Sequence, residues 1–80
     1  MLVQFAYSGL YLDVPGSSLR AGTTLIQYRL NSRCNQRWRF LKIKETNDYM
    51  IVSVRSKMCL TVKGAKAKPG TEIVQDLPKS

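Results

Sequence analysis

Apolar and polar positions alternate along most of this chain in short runs, and no stretch keeps a 3.6-residue period with caps at its ends. Leu10-Tyr11-Leu12-Asp13-Val14 and Met50-Ile51-Val52-Ser53-Val54 are short, rich in β-branched and aromatic residues, and bounded by Gly, Pro or Ser. Thr24-Leu25-Ile26-Gln27-Tyr28 continues the pattern. Arg37 to Ile43 alternates basic with apolar residues, as a half-exposed strand does. Met1 to Gly9 also reads as a strand. Pro15-Gly16-Ser17-Ser18, Asn31-Ser32-Arg33 and Thr46-Asn47-Asp48 punctuate these runs as loops and turns. The pattern predicts an all-β chain.

The runs are also related to one another. Sliding the sequence by 48 residues places Ser8 on Ser56, Leu12 on Leu60, Val14 on Val62 and Gly16 on Gly64 without a gap. Gly22-Thr23 falls on Gly70-Thr71, Gln27 on Gln75 and Ser32 on Ser80. Between the identities, like replaces like: Val3 by Ile51, Leu10 by Met58, Leu25 by Ile73 and Ile26 by Val74. The chain therefore divides into a first copy, residues 1–48, and a shorter second copy, residues 49–80, with about four short strands per full copy.

Composition narrows the function more than the fold. At 80 residues the chain is one small domain or part of one. It has no histidine, which excludes a histidine-built metal site, a Ser-His-Asp triad and a Cys-His dyad. No metal or cofactor is expected. No apolar run approaches the roughly 18 residues of a membrane-spanning helix. The amino terminus lacks the basic start and continuous apolar core of a secretory signal.

Gly9-Leu10-Tyr11-Leu12-Asp13-Val14, then Gly22-Thr23, then Asn35-Gln36-Arg37-Trp38 resembles one repeat of a ricin B-type lectin domain, with Gln36-Arg37-Trp38 as its Gln-x-Trp signature. The resemblance runs over essentially the whole chain. It implies a β-trefoil, in which three four-stranded repeats surround a pseudo-threefold axis with up to one sugar site each. It also favours an extracellular or secreted setting. Against that pattern the chain holds one complete repeat and most of a second, since the second reaches Pro78-Lys79-Ser80 before a Gln-x-Trp strand of its own. Three units of this period would need about 140 residues. Completion by self-association or within a longer parent chain is the expectation, because a partial barrel leaves apolar surface and strand edges in water.

The resemblance assigns a sugar site to the first copy. Asp13 matches the carboxylate that grips a pair of sugar hydroxyls, and Tyr28 the aromatic that stacks on the ring. Asn35 matches the amide that meets the same hydroxyls, Gln36 the residue that braces the carboxylate, and Asn31 a further polar contact. These residue types suit the chemistry. A flat aromatic covers the C–H face of a pyranose, and a charged acceptor makes the stronger hydrogen bonds to hydroxyls. In the second copy Thr61 replaces Asp13 and Asp76 replaces Tyr28, so the site is lost there. Trp38 is expected in the core.

In the family a bridge often joins the second strand to the residue two past the aromatic. Cys59 holds the first position but Pro78 the second, and the first copy has Tyr11 and Leu30 there. A Cys34–Cys59 bridge stays open, with free thiols preferred. Thirteen Lys and Arg against five Asp and Glu give a net charge of +8. That charge is either a solvated surface or a face for an acidic glycan, an anionic membrane or another partner. Nucleic acid fits worst, because few aromatics lie among the lysines. The expected function is a non-enzymatic lectin for a galactose-like glycan, neutral or acidic. The alternative is a structural or protein–protein interaction element that keeps only the framework. An Asp13→Ala change is expected to separate the two by abolishing sugar retention while leaving the fold intact.

Overall fold

The computed structural model describes residues 1–78. Six strands form in chain order: β1 (Tyr11–Asp13), β2 (Ile26–Tyr28), β3 (Trp38–Lys42), β4 (Tyr49–Ser53), β5 (Cys59–Val62) and β6 (Ile73–Asp76). β1 and β2 pair as one antiparallel hairpin, and β3-β4-β5-β6 form a four-stranded antiparallel sheet. Three short 3-10 turns, Pro15–Ser17, Cys34–Gln36 and Lys63–Ala65, connect them. The chain is all-β, as its alternation implies, and no described helix is long and apolar enough to cross a membrane.

The 48-residue shift is written into the backbone. Gly9 and Lys57, Gly16 and Gly64, Ser17 and Ala65, and Gly22 and Gly70 are each 48 apart and all have positive φ. Lys57, Ser17 and Ala65 adopt that conformation despite carrying a Cβ, which is sterically costly. Its recurrence at matched positions means that the turn, rather than the local residue, imposes it. Hydrogen bonds repeat with the same register. Phe5 N donates to Leu10 O at 2.8 Å and Ser53 N to Met58 O at 2.9 Å, while the bridge Gln4–Tyr11 matches the pair Val52–Cys59. In both Gly-Thr turns the threonine hydroxyl donates to the carbonyl three residues back, Thr23 to Arg20 and Thr71 to Lys68, each at 2.7 Å. The Ser32–Ser80 match lies outside the described residues.

One expected strand is reduced. Residues 1–9 form no regular strand: the Gln4–Tyr11 bridge is flanked by the Leu12 N to Val3 O and Phe5 N to Leu10 O bonds, Met1 pairs with Trp38, and a turn falls at 6–8. Their counterpart β4 is hydrogen-bonded on both sides, to β3 through five residue pairs and to β5. A strand gains regularity from ladders on both edges, and residues 1–5 have a full neighbour on one side only among the described residues.

The two copies meet where residues 22–25 run antiparallel to residues 73–75. Gly22 N and Leu25 N donate to Gln75 O and Ile73 O, and Gln75 N donates to Thr23 O. Fully buried Gln75 clamps the first copy's loop through its Nε2, which donates to Ser18 O at 3.2 Å and Arg20 O at 2.9 Å.

Leu12, Val14, Leu25 and Trp38 make the main core, with Val3, Ile51 and Leu60 packed against it. Trp38 is fully buried, as expected, and its indole Nε1 donates to Leu12 O at 3.1 Å. Beyond this cluster the apolar surface stays open. Val3, Leu12 and Leu25, with their 48-residue counterparts Ile51, Leu60 and Ile73, line a concavity of about 330 Å³ together with Phe5 and Ile26. Phe5, Ile26 and Ile73 are each more than a third exposed there. The internal face is thus covered by two sets of equivalent aliphatic residues and is left bare on its remaining side.

Candidate functional site

The β1–β2 hairpin sets up the site. Asp13 stands opposite Ile26, and Tyr11 opposite Tyr28, so these four side chains share one face of the ribbon. Leu12 and Gln27 point the other way, and Leu12 enters the core. Burying Leu12 therefore fixes which way Asp13 faces, because a one-residue slip would exchange the two.

Behind the hairpin, the Cys34–Gln36 turn delivers two amides to the carboxylate. Asn35 Nδ2 donates to Asp13 Oδ1 at 3.2 Å, and Gln36 Nε2 donates to Asp13 Oδ2 at 2.8 Å. The second hydrogens of both amides are also placed, on Val14 O at 3.1 Å and Arg29 O at 2.7 Å. The amide oxygens then accept in turn. Asn31 N donates to Gln36 Oε1 at 3.0 Å, Asn31 Nδ2 to Asn35 Oδ1 at 3.2 Å, and Arg33 N to Asn31 Oδ1 at 2.9 Å. The relay runs toward Asp13, and turning over either amide would give up three bonds. A carboxylate only 2% exposed is held in place by these contacts.

Asp13, Tyr28, Asn31 and Asn35 all border one open pocket of about 540 Å³. Gln36, read from the sequence with the sugar contacts, is fully buried and outside that lining. Its amide is spent on Asp13 and Arg29, so it braces the carboxylate and presents nothing to a ligand. Tyr28 is half-exposed, and the Arg29 guanidinium lies 5.2 Å from its ring centroid. Arg29 does not line the pocket, which leaves the ring's other face for a ligand.

Sequence reasoning missed part of the wall. Pro15, Gly16 and Ser17 form its lip, and Ile26 and Arg33 complete the lining. Arg33 belongs to the group of arginines, Arg29, Arg33, Arg37 and Arg39, that the sequence places around the pocket and the Gln-x-Trp strand. Ile26 could have been found from its place two residues before Tyr28 on the same strand face. The lip could not, because it depends on the positive φ of Gly16 and Ser17. Of that arginine group, Arg37 and Arg39 are exposed and outside the pocket lining.

Both thiols are free, with Cys34 exposed and Cys59 buried. Burial pushes the Cys59 thiol up, and its Sγ contacts Met50 Sδ at 3.8 Å. No group of three or more His, Cys, Asp or Glu side chains converges among the described residues.

A strand-and-turn unit repeated at a 48-residue interval in an all-β chain is the architecture of a β-trefoil. The chain belongs to the ricin-type beta-trefoil lectin domain-like family, whose model matches residues 2–76. Among solved structures it is similar to ThreeFoil, a designed 3-fold symmetric protein, at 28% identity and a TM-score of 0.86. It is also similar to 1,3Gal43A, an exo-beta-1,3-galactanase from Clostridium thermocellum, at 31% identity and a TM-score of 0.90. The matches cover 98% and 96% of this chain but only 61% and 16% of those proteins. No protein among curated sequences matches it.

Proposed function

We propose that this chain is a non-enzymatic carbohydrate-binding module that takes a galactose-like sugar in the pocket of its first copy. The observation that carries the reading is the one-way hydrogen-bond chain ending on Asp13. It spends both amides on bracing a carboxylate that borders the pocket, an acceptor suited to two neighbouring hydroxyls. Tyr28 offers the free ring face that a pyranose stacks on. Family membership supports carbohydrate as the general ligand class, and the galactanase neighbour favours galactose within it. Arg33 in the lining extends the preference to glycans with an acidic group nearby. Binding per pocket is weak, since the site is open and makes few contacts, and useful avidity comes from several sites acting together.

The absence of catalysis is part of the same reading. Among the described residues Asp13 is the sole carboxylate in the pocket lining, and Asp76 lies on β6 with its Oδ1 accepting from Leu77 N. A hydrolytic pair of acids has no second member there.

A second reading, a structural or protein–protein element, is favoured by the bare apolar concavity between the two copies. It predicts a specific complex and no sugar retention. Amide NMR spectra recorded with galactose, lactose and sialyllactose separate the two. Shifts centred on Asp13, Tyr28, Asn31 and Asn35, and lost in Tyr28→Ala, are the expected result. Dispersed spectra that none of the three sugars perturbs would discard the lectin reading.

A further inference from the structure

The second copy lacks the first copy's sugar-binding set, yet its equivalent loop forms a groove of its own. The connection between β5 and β6 encloses about 450 Å³ lined by Lys63, Lys66 and Lys68, with Glu72 at one edge. The corresponding residues of the first copy are Pro15, Ser18 and Arg20, so most of this charge belongs to the second copy alone. The loop is built rather than loose. Gly64 and Ala65 take the same positive φ as Gly16 and Ser17, and Thr71 closes the far end on Lys68 O through both its N–H and its hydroxyl.

The charges are not balanced within the groove. Glu72 Oε2 lies 3.4 Å from Lys63 Nζ, and its Oε1 accepts from Thr24 at 2.9 Å, so this carboxylate is already engaged. Lys66 and Lys68 have no acidic partner among the described residues. The Lys66 chain folds back over Gly64, with its Cε 3.7 Å from where a Cβ on that glycine would stand. Holding Lys66 and Lys68 on one concave loop, in a chain of net charge +8, costs repulsion that a bound anion relieves.

We propose that this groove binds the sulfate or carboxylate group of an acidic glycan, as a second subsite distinct from the Asp13 pocket. The proposal rests on the carbohydrate reading for its ligand class, while the basic groove stands on its own geometry. Amide NMR titrations of the full chain with a chondroitin sulfate disaccharide, lactose, inorganic sulfate and a short oligothymidylate provide the test. The sulfated disaccharide should shift residues 63–72, and its affinity should fall as salt rises. The double substitution Lys66→Gln and Lys68→Gln should weaken it about fivefold and leave lactose unaffected. Both side chains are exposed, so the variant keeps the fold.

Silence of residues 63–72 toward the disaccharide would overturn the proposal. Equal shifts with inorganic sulfate alone would reduce the groove to a free-anion site and overturn the glycan assignment, as would tighter binding of the oligothymidylate at the same lysines. Shifts at 63–72 with none at Asp13 and Tyr28 for any sugar would keep this subsite and reject the pocket of the first copy.

Discussion

Replacing Asp13 by asparagine changes one atom and reverses one hydrogen-bonding direction. In the native arrangement both carboxylate oxygens accept, from Asn35 Nδ2 at 3.2 Å and Gln36 Nε2 at 2.8 Å. An introduced amide can still accept from Gln36, but its NH2 then faces the NH2 of Asn35. Turning Asn35 over would give up its bonds to Val14 O and from Asn31 Nδ2. One charge-assisted bond becomes neutral and one buried donor is left unpaired. Each change costs on the order of 1 to 2 kcal/mol, partly offset because an amide is cheaper to bury than a carboxylate. The net loss is about 2 kcal/mol, or roughly 8–16 °C in Tm for a domain this small.

The effect on binding should be larger. Loss of a charged acceptor for two hydroxyls removes about 3 kcal/mol, a weakening of roughly 100-fold. Thermal melting and an NMR titration with galactose measure the two effects on one sample. A variant that keeps galactose affinity within about threefold and melts with the parent would refute the argument that Asp13 is the braced anchor. Asp13→Ala is the poorer test. Expected from the sequence to spare the fold, it would leave both bracing amides facing a cavity, so lost binding and lost folding would be confounded.

Three further outcomes follow from the packing. Trp38→Ala should cost about 3–5 kcal/mol, comparable with the whole stability of an 80-residue domain; a cooperative urea transition surviving near its original midpoint would contradict the assigned core. Glu72 is held below the usual carboxylate range, first by the Thr24 hydrogen bond and then by Lys63. Its contribution is therefore complete above its unfolded pKa and is lost as pH falls through the lowered folded value. Tm should decline below about pH 4 more steeply in the parent than in Glu72→Gln, and parallel curves would remove the tie between the copies. Exposed Cys34 should alkylate quickly with iodoacetamide, while buried Cys59, its thiol pushed up by desolvation, should react only on unfolding. Two equally fast modifications would contradict the placement of β5.

The division between sequence and structure follows the range of the forces involved. Alternation of apolar and polar residues determined the all-β class, and a 48-residue shift determined which strands are equivalent, since side-chain direction and turn chemistry are local. Asp13, Tyr28, Asn31 and Asn35 were legible as a set because the family's residues stand at matching positions. That Gln36 braces the carboxylate was implied by the resemblance; only the tertiary structure decided what holds the brace and buries it fully, because Arg29 O and Asn31 N arrive from another loop. Residues 1–9 lost most of their strand for the same kind of reason, since a strand's regularity depends on what lies on both of its edges. The basic groove of Lys63, Lys66 and Lys68 was visible in the sequence as a charge run and nothing more. It became a concave surface only once positive φ at Gly64 and Ala65 folded the loop, a backbone state that no alternation pattern encodes.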